Sequence, residues 1–173
     1  MEYLELIQKR YSVRSYKADP VEEDKLIRIL EAARIAPTAS NRQPFRLIVA
    51  KTKGKEEMLF KVYNRDWFSQ APLVICACGM RSEAWVRMDG KCYLDVDVAI
   101  VMDHFILAAA NEGLGTCWIA AFDQQAAQEL FRLPPEVEPI ILTPLGYPAD
   151  KLKPKNRKTI DKLVYYDYWG GTK

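Results

Sequence analysis

The sequence predicts an α+β fold in which a central apolar helix packs under a small sheet. Two observations support this class. The segment 94–111 is apolar on nearly every side, which is typical of a helix covered by its neighbours. Four short apolar runs have the length and composition of buried strands, and they lie at 45–50, 72–78, 116–122 and 140–145.

Two helices are predicted before the first of these runs. Apolar spacing favours a short N-terminal helix that ends at Arg10, followed by an extended segment over 11–16. Asp19 and Pro20 are the residue types preferred at an N-cap and at the first helical position. They therefore predict a second helix, which ends before Pro37.

The rest of the chain predicts two further helices and no internal boundary. One helix is expected over 54–63, and another is expected after Asp123, whose carboxylate suits an N-cap. The segment 79–93 gives no clear pattern. Because no linker or internal repeat is visible, we expect a single domain over 1–173.

Composition excludes several classes of function. The 173 residues are 49% hydrophobic, and 25 Lys and Arg against 23 Asp and Glu leave a net charge of +2. A disordered chain is excluded, and nothing at this level indicates nucleic acid or an anionic membrane as partner. No apolar run reaches the roughly 18 residues that span a bilayer, and the first residues lack a leader pattern. We therefore expect a cytoplasmic protein.

Cysteine and histidine usage disfavours a metal centre. Cys76, Cys78, Cys92 and Cys117 lack the spacing of zinc ligands, and His104 is the single histidine. We predict no metal site and expect reduced thiols within the core. A triad hydrolase is also disfavoured, because its base would have to be His104 on a helix that we expect to be buried.

Two basic clusters, 9–14 and 153–158, lie at opposite ends of the chain. Guanidinium groups beside a hydroxyl match phosphate oxygens, so each cluster fits an anion clamp, although solvated terminal residues give the same pattern. The polar loop 38–43 lies between them and fits either a helix C-cap with a turn or a ligand contact. The sequence contains neither a Gly-x-Gly-x-x-Gly fingerprint nor a P-loop motif.

Five motifs occur in a fixed order along the chain. They are Arg10-x-Ser12-x-Arg14, Ala36-Pro37-Thr38-Ala39-x-Asn41-x-Gln43-Pro44-Phe45, Gly113-Leu114-Gly115-Thr116-x-Trp118-Ile119, Leu145-Gly146-Tyr147-Pro148 and Pro154-Lys155-x-Arg157. In order and spacing they resemble the FMN-dependent nitroreductase family, and the likeness extends from Arg10 to about Tyr168.

The resemblance implies a nitroreductase-like α+β fold with a mostly antiparallel sheet, flanking helices and an extended C-terminal arm. It also implies a homodimer with FMN sites at the subunit interface. The implied activity is an FMN-dependent NAD(P)H oxidoreductase that reduces small electron-poor oxidants, such as nitroaromatics or quinones, by ping-pong kinetics. NADH or NADPH is the implied electron donor, and no side chain is required as a catalytic acid or nucleophile.

The resemblance also assigns site residues. Arg10, Ser12 and Arg14 are expected to hold the phosphate, the ribityl chain and the pyrimidine edge of FMN, with the Tyr11 backbone alongside and Lys155 and Arg157 completing the phosphate clamp. The other subunit is expected to supply Pro37, Thr38, Ala39 and Asn41, while Gln43 braces that loop. The backbone of Ala120 and Ala121 is expected beside the flavin N5.

The motifs describe cofactor retention more directly than turnover. A flavin- or nucleotide-binding module that acts as a sensor or store therefore fits the same residues. A third alternative, an interaction protein with a basic tail, depends on residues 151–158 alone and predicts salt-dependent binding of polyanions.

Overall fold

The computed structural model describes residues 2–173 and confirms the α+β class. Within this range the five α-helices are α1 (Tyr3–Lys9), α2 (Glu23–Arg34), α3 (Glu56–Val62), α4 (Leu94–Asn111) and α5 (Gln124–Phe131). The four strands are β1 (Phe45–Lys51), β2 (Leu73–Met80), β3 (Gly115–Thr116) and β4 (Val137–Gly146). The strands pair antiparallel throughout, in the order β1-β2-β4-β3.

The sheet has helices on both faces. Every residue of β2 is buried, and its side chains alternate between two core clusters. Leu73, Ile75 and Ala77 pack with α2 and α4, whereas Cys76 and Cys78 pack with α3 and α5. The fully buried residues of β2 explain why its sequence is a continuous apolar run.

Helix α4 matches the predicted central helix. Val98, Val101 and Phe105 are fully buried, and the helix ends where Gly113 adopts a φ of +78°. The backbone N–H of Leu114 then donates to the carbonyl of Ala109 at 2.8 Å, which satisfies one of the carbonyls left free at the helix end. The prediction that the central helix stops at this glycine is therefore confirmed.

The predicted start of the second helix is wrong. Helix α2 begins at Glu23, and Asp19 and Pro20 lie outside it. The Tyr147 hydroxyl donates to the Glu22 carboxylate at 2.7 Å, and the Lys25 ammonium donates to the Tyr147 oxygen at 2.6 Å. These contacts with the chain after β4 fix the first turn, so a distant residue overrides the local capping preference.

The predicted cap of the last helix is correct. Asp123 stands at the N-cap of α5, where its carboxylate accepts a hydrogen bond from the backbone N–H of Ala126 at 2.8 Å. This contact joins residues three positions apart, so the local sequence contains all the information that forms it.

The third predicted strand is much shorter than expected. Strand β3 comprises Gly115 and Thr116, so it includes only the first residue of the predicted run, which continues only as a single bridge between Ile119 and Leu142. In this register Pro144 stands opposite Cys117 and has no N–H for the ladder. The Cys117 N–H donates instead to Thr143 Oγ1 at 3.0 Å, so the regular pairing stops there.

The C-terminal arm, residues 147–173, leaves its aromatic end exposed. Tyr168 is 74% exposed and Trp169 is 89% exposed, although the Trp169 ring lies 5.0 Å from that of Tyr165. Residues 2–173 therefore leave these two aromatic side chains largely uncovered. Among these residues, none of the helices combines the length and apolar character required for a membrane crossing.

Gly115 permits a close approach between β3 and the segment that follows α1. A Cβ atom on Gly115 would lie 2.6 Å from Cγ2 of Val13, whose side chain is fully buried. We expect Gly115→Ala to lower the free energy of unfolding by about 1–3 kcal/mol, because the two backbones must separate. Urea denaturation measures this change.

A double variant provides the control for this clash. Val13→Ala removes Cγ1 and Cγ2, two of the three atoms closest to the added methyl group. The cost of Gly115→Ala should therefore be smaller in the Val13→Ala background. Equal costs in the two backgrounds would show that this contact does not require glycine.

Candidate functional site

The basic segment after α1 is held in place by backbone hydrogen bonds. The Val13 N–H donates to the carbonyl of Thr116 in β3 at 2.9 Å, and the Lys17 N–H donates to the carbonyl of Tyr147 at 2.9 Å. The Ala149 N–H donates back to the Ser15 carbonyl at 2.8 Å. The extended segment predicted over 11–16 therefore runs between β3 and the start of the C-terminal arm.

Asp150 braces this segment from the arm. The Tyr11 hydroxyl donates to the backbone carbonyl of Asp150 at 2.8 Å and to its carboxylate at 3.1 Å. The other carboxylate oxygen accepts from the backbone N–H of Arg14 at 2.9 Å. Burial and the neighbouring Asp150 carboxylate raise the pKa of Tyr11 to about 12. The Tyr11 phenol is thus neutral and available as a donor at physiological pH.

Sequence reasoning missed Asp150. Its position could have indicated a role, because Asp150 is the single acidic residue between Gly146 and Thr159 in an otherwise basic segment. Its partners lie 136 and 139 residues away in the sequence, so no local pattern reveals what it contacts.

Lys155 joins the C-terminal arm to α1. Its ammonium group donates to the carbonyl of Ile7 at 2.9 Å and to that of Gln8, both at the C-terminal end of α1. Carbonyls at a helix C-terminus lack intrahelical partners and carry partial negative charge, so a cation is favoured there. Two of the three ammonium N–H groups are used in this way, and one remains for another acceptor.

Arg10 is the C-cap residue of α1, at the helix end that Lys155 contacts, and Arg157 follows Lys155 by two positions in the chain. Burial lowers the pKa of Lys155, and the positive charges of Arg10 and Arg157 lower it further. None of these three side chains forms a salt bridge with an acidic residue within 2–173. Residues from opposite ends of the sequence therefore form a cluster of positive charge without a negative partner. We call Arg10, Lys155 and Arg157 the cationic cluster.

A cleft of about 540 Å³ opens on the segment that carries these contacts. It is lined by Tyr11, Ser12, Arg14, Asp150, Lys151 and Lys153. Ser12 pairs with Thr116 in an isolated parallel bridge, which fixes it at the inner wall. Three lysine or arginine side chains line the cleft against one carboxylate, so it favours an anionic ligand.

The polar loop between α2 and β1 is strained. Ser40, Asn41 and Gln43 have positive φ angles of 52°, 53° and 51°. Each such non-glycine residue costs on the order of 1–3 kcal/mol, and strain of this kind concentrates at functional sites. The backbone N–H of Gln43 donates to Thr38 Oγ1 at 3.0 Å, and the Gln43 side chain donates to the Asn41 carbonyl at 3.2 Å. Gln43 therefore braces the loop within its own chain.

The loop and the cationic cluster lie at opposite ends of α4. The Ala39 N–H donates to Asp97 in the first turn of α4, whereas Arg10 shares a cavity with Ala110 and Gly113 at the other end. Asp97 and Ala110 are 13 residues apart on one helix, which corresponds to about 20 Å. One chain therefore does not bring Thr38, Ala39 and Asn41 to the cationic cluster.

Ala120 and Ala121 directly follow the Ile119–Leu142 bridge, where the pairing with β4 ends. Both residues are exposed. With methyl side chains alone, they can contribute only backbone groups to a ligand, which is the role expected of them. That role, like the other assignments of individual residues, stays a prediction.

The fold and this site define an α+β protein with a cleft suited to an anionic ligand, and comparisons with known proteins give its family. The sequence profile of the nitroreductase family matches residues 7–64 and 53–147. The crystal structure of a nitroreductase family protein from Clostridium difficile superimposes with a TM-score of 0.89. The sequences are 39% identical, and the match covers 97% of this chain and 99% of the other.

Relatives of known sequence agree with this match. A Methanothermobacter thermautotrophicus protein provisionally named NADH dehydrogenase/NAD(P)H nitroreductase is 30% identical, over 98% of this chain and 88% of its own. A Bacillus subtilis protein named FMN reductase [NAD(P)H] is 28% identical, over 90% of this chain and 70% of its own. The chain belongs to the nitroreductase family, and as a member it is an oxidoreductase enzyme.

The brace between Tyr11 and Asp150 can be tested by stability. Tyr11→Phe removes the hydroxyl that donates to Asp150, and we expect the free energy of unfolding to fall by about 1–2 kcal/mol. Tyr3→Phe is the matched control, because the Tyr3 side chain is 64% exposed and makes no hydrogen bond within residues 2–173. Equal stability of the two variants in urea denaturation would contradict the brace.

Proposed function

We propose that this protein is an FMN-dependent NAD(P)H oxidoreductase that works as a homodimer and reduces small electron-poor acceptors such as nitroaromatics or quinones. The observation that carries the proposal is the cationic cluster. Lys155 contacts the end of α1 that Arg10 caps, Arg157 is two positions further along the arm, and none of the three forms an ion pair with an acidic residue within 2–173. A phosphate dianion is the kind of group that such a cluster binds.

The side chains of the cationic cluster, none of which lines the cleft itself, fit the FMN phosphate. The guanidinium groups of Arg10 and Arg157 offer paired N–H donors, and Lys155 keeps one N–H after its contacts with α1. Burial and, to a smaller extent, the positive charges of Arg10 and Arg157 lower the pKa of Lys155, and a bound phosphate would offset those charges. Ser12 lies on the inner wall of the cleft, and its hydroxyl is available to the ribityl chain of FMN, which carries the phosphate.

Arg14 is the residue that we assign to the electronic tuning of the ring. FMN supplies the electron-transfer chemistry when it is bound, and the protein orients it and sets its electrostatic surroundings. Asp150 accepts a hydrogen bond from the Arg14 backbone, and the guanidinium of Arg14 forms no ion pair with an acidic residue within 2–173. A fixed cation beside the pyrimidine edge stabilises negative charge there and favours the reduced state.

Three features support a homodimer. The strained loop lies at the end of α4 away from the cationic cluster, so a second chain is needed for both to contact one cofactor. Helix α4 presents an open groove lined by Val96, Ala99 and Ile100 together with Asp95, Asp103 and His104. The C-terminal arm exposes its aromatic residues, and a partner subunit would cover them. A cytoplasmic location stays a prediction from the sequence.

Replacing Arg157 tests the phosphate clamp. We expect Arg157→Ala to weaken FMN binding by about ten- to a hundredfold, because one charge-assisted hydrogen bond contributes about 1.5–3 kcal/mol. Lys158→Ala is the matched control, since it removes an exposed positive charge from the adjacent position. Titration of the apoprotein with FMN, followed by flavin fluorescence, measures both. Equal affinity of the two variants would remove Arg157 from the clamp.

Anaerobic mixing with NADH and with NADPH tests turnover. We expect at least one of the two donors to bleach the bound flavin, and a nitroaromatic or a quinone to restore its absorbance. A protein that binds FMN but stays oxidised with both donors would instead be a cofactor-binding module.

A further inference from the structure

Asp97 is a buried acid with an incomplete set of partners. Its side chain is 1% exposed, and Oδ1 accepts a hydrogen bond from the backbone N–H of Ala39 at 2.8 Å. Oδ2 is the one buried side-chain oxygen or nitrogen without a hydrogen-bond partner among residues 2–173. A buried carboxylate in this state is costly, so the single contact with Ala39 requires an explanation.

That contact anchors the strained loop. Ala39 directly precedes Ser40 and Asn41, which both have positive φ angles. The second anchor is Thr38, whose Oγ1 accepts from the Gln43 N–H. Asp97 belongs to α4 and is followed by the fully buried Val98, so the loop is fastened to a rigid part of the core. Without Asp97, the loop is free to relax toward ordinary backbone angles.

We propose that Asp97 is a positioning residue for the cofactor site of the partner subunit. By holding Ala39, it presents the 38–41 edge of the loop toward the neighbouring chain. This inference depends on the proposed function. It adds that a buried acid, about 20 Å along α4 from the cationic cluster of its own chain, controls FMN binding in trans.

Two substitutions separate this role from general stability. We expect Asp97→Ala to weaken FMN binding by about tenfold or more, because the loop loses the hydrogen-bond acceptor that anchors Ala39. Asp97→Asn keeps an oxygen that can accept from Ala39, so it should restore affinity to within about threefold of wild type. Asp19→Ala, which removes an exposed acid, is the control and should bind as wild type does. Wild-type affinity in Asp97→Ala overturns the inference.

A hybrid dimer tests the action in trans. Subunits carrying Arg10→Ala and Asp97→Ala receive different affinity tags, and the mixed dimer is purified on both tags. If Asp97 acts on the partner's site, one site has both defects and the other is intact, so the hybrid binds one FMN with wild-type affinity. If Asp97 acts within its own chain, each site has one defect, and no tight FMN is found.

The number of tightly bound FMN molecules per hybrid dimer therefore tests whether Asp97 acts on the partner's site. One tight FMN per hybrid dimer supports it, and none overturns it. If Asp97→Ala only destabilised the fold, the hybrid dimer would not have one intact FMN site and one defective FMN site. Wild-type protein is titrated in parallel. If it binds no FMN, the proposed function fails, whereas if only the hybrid lacks a tight site, this inference fails alone.

Discussion

The concentration of positive charge at Arg10, Lys155 and Arg157 is the constraint around which the site is built. The three groups come from opposite ends of the chain, and no acidic side chain among residues 2–173 forms an ion pair with them. Two backbone carbonyls of α1 hold Lys155 in place, and Asp150 holds the segment that follows Arg10. The fold thus stabilises a concentration of positive charge that an anionic ligand completes.

The length of α4 imposes a second constraint. It keeps the strained loop at one end and the cationic cluster at the other, so the two sets of predicted cofactor contacts do not meet within one chain. A symmetric dimer resolves this separation because each subunit can offer its loop to the other's cluster. The unpartnered groove on α4 and the exposed aromatic arm agree with such an arrangement.

The sequence was informative where structure depends on local contacts. The bounds of α4 follow from its apolar composition and the glycine after it, and the cap of α5 needs only Asp123 and the turn that follows. The start of α2 and the length of β3 could not be predicted, because Tyr147 fixes the first and Pro144 limits the second. Asp150 and Asp97 were missed for the same reason, since their carboxylates hold backbone groups 136 and 58 residues away.

A comparison of FMN with riboflavin, which has the same ring and ribityl chain but no phosphate, isolates the contribution of the cationic cluster. If the cationic cluster binds phosphate, FMN should bind the apoprotein at least about a hundredfold more tightly than riboflavin at low salt. The preference should shrink as salt screens the charges. Equal affinities for the two flavins would show that the three positive groups have no role in holding the cofactor.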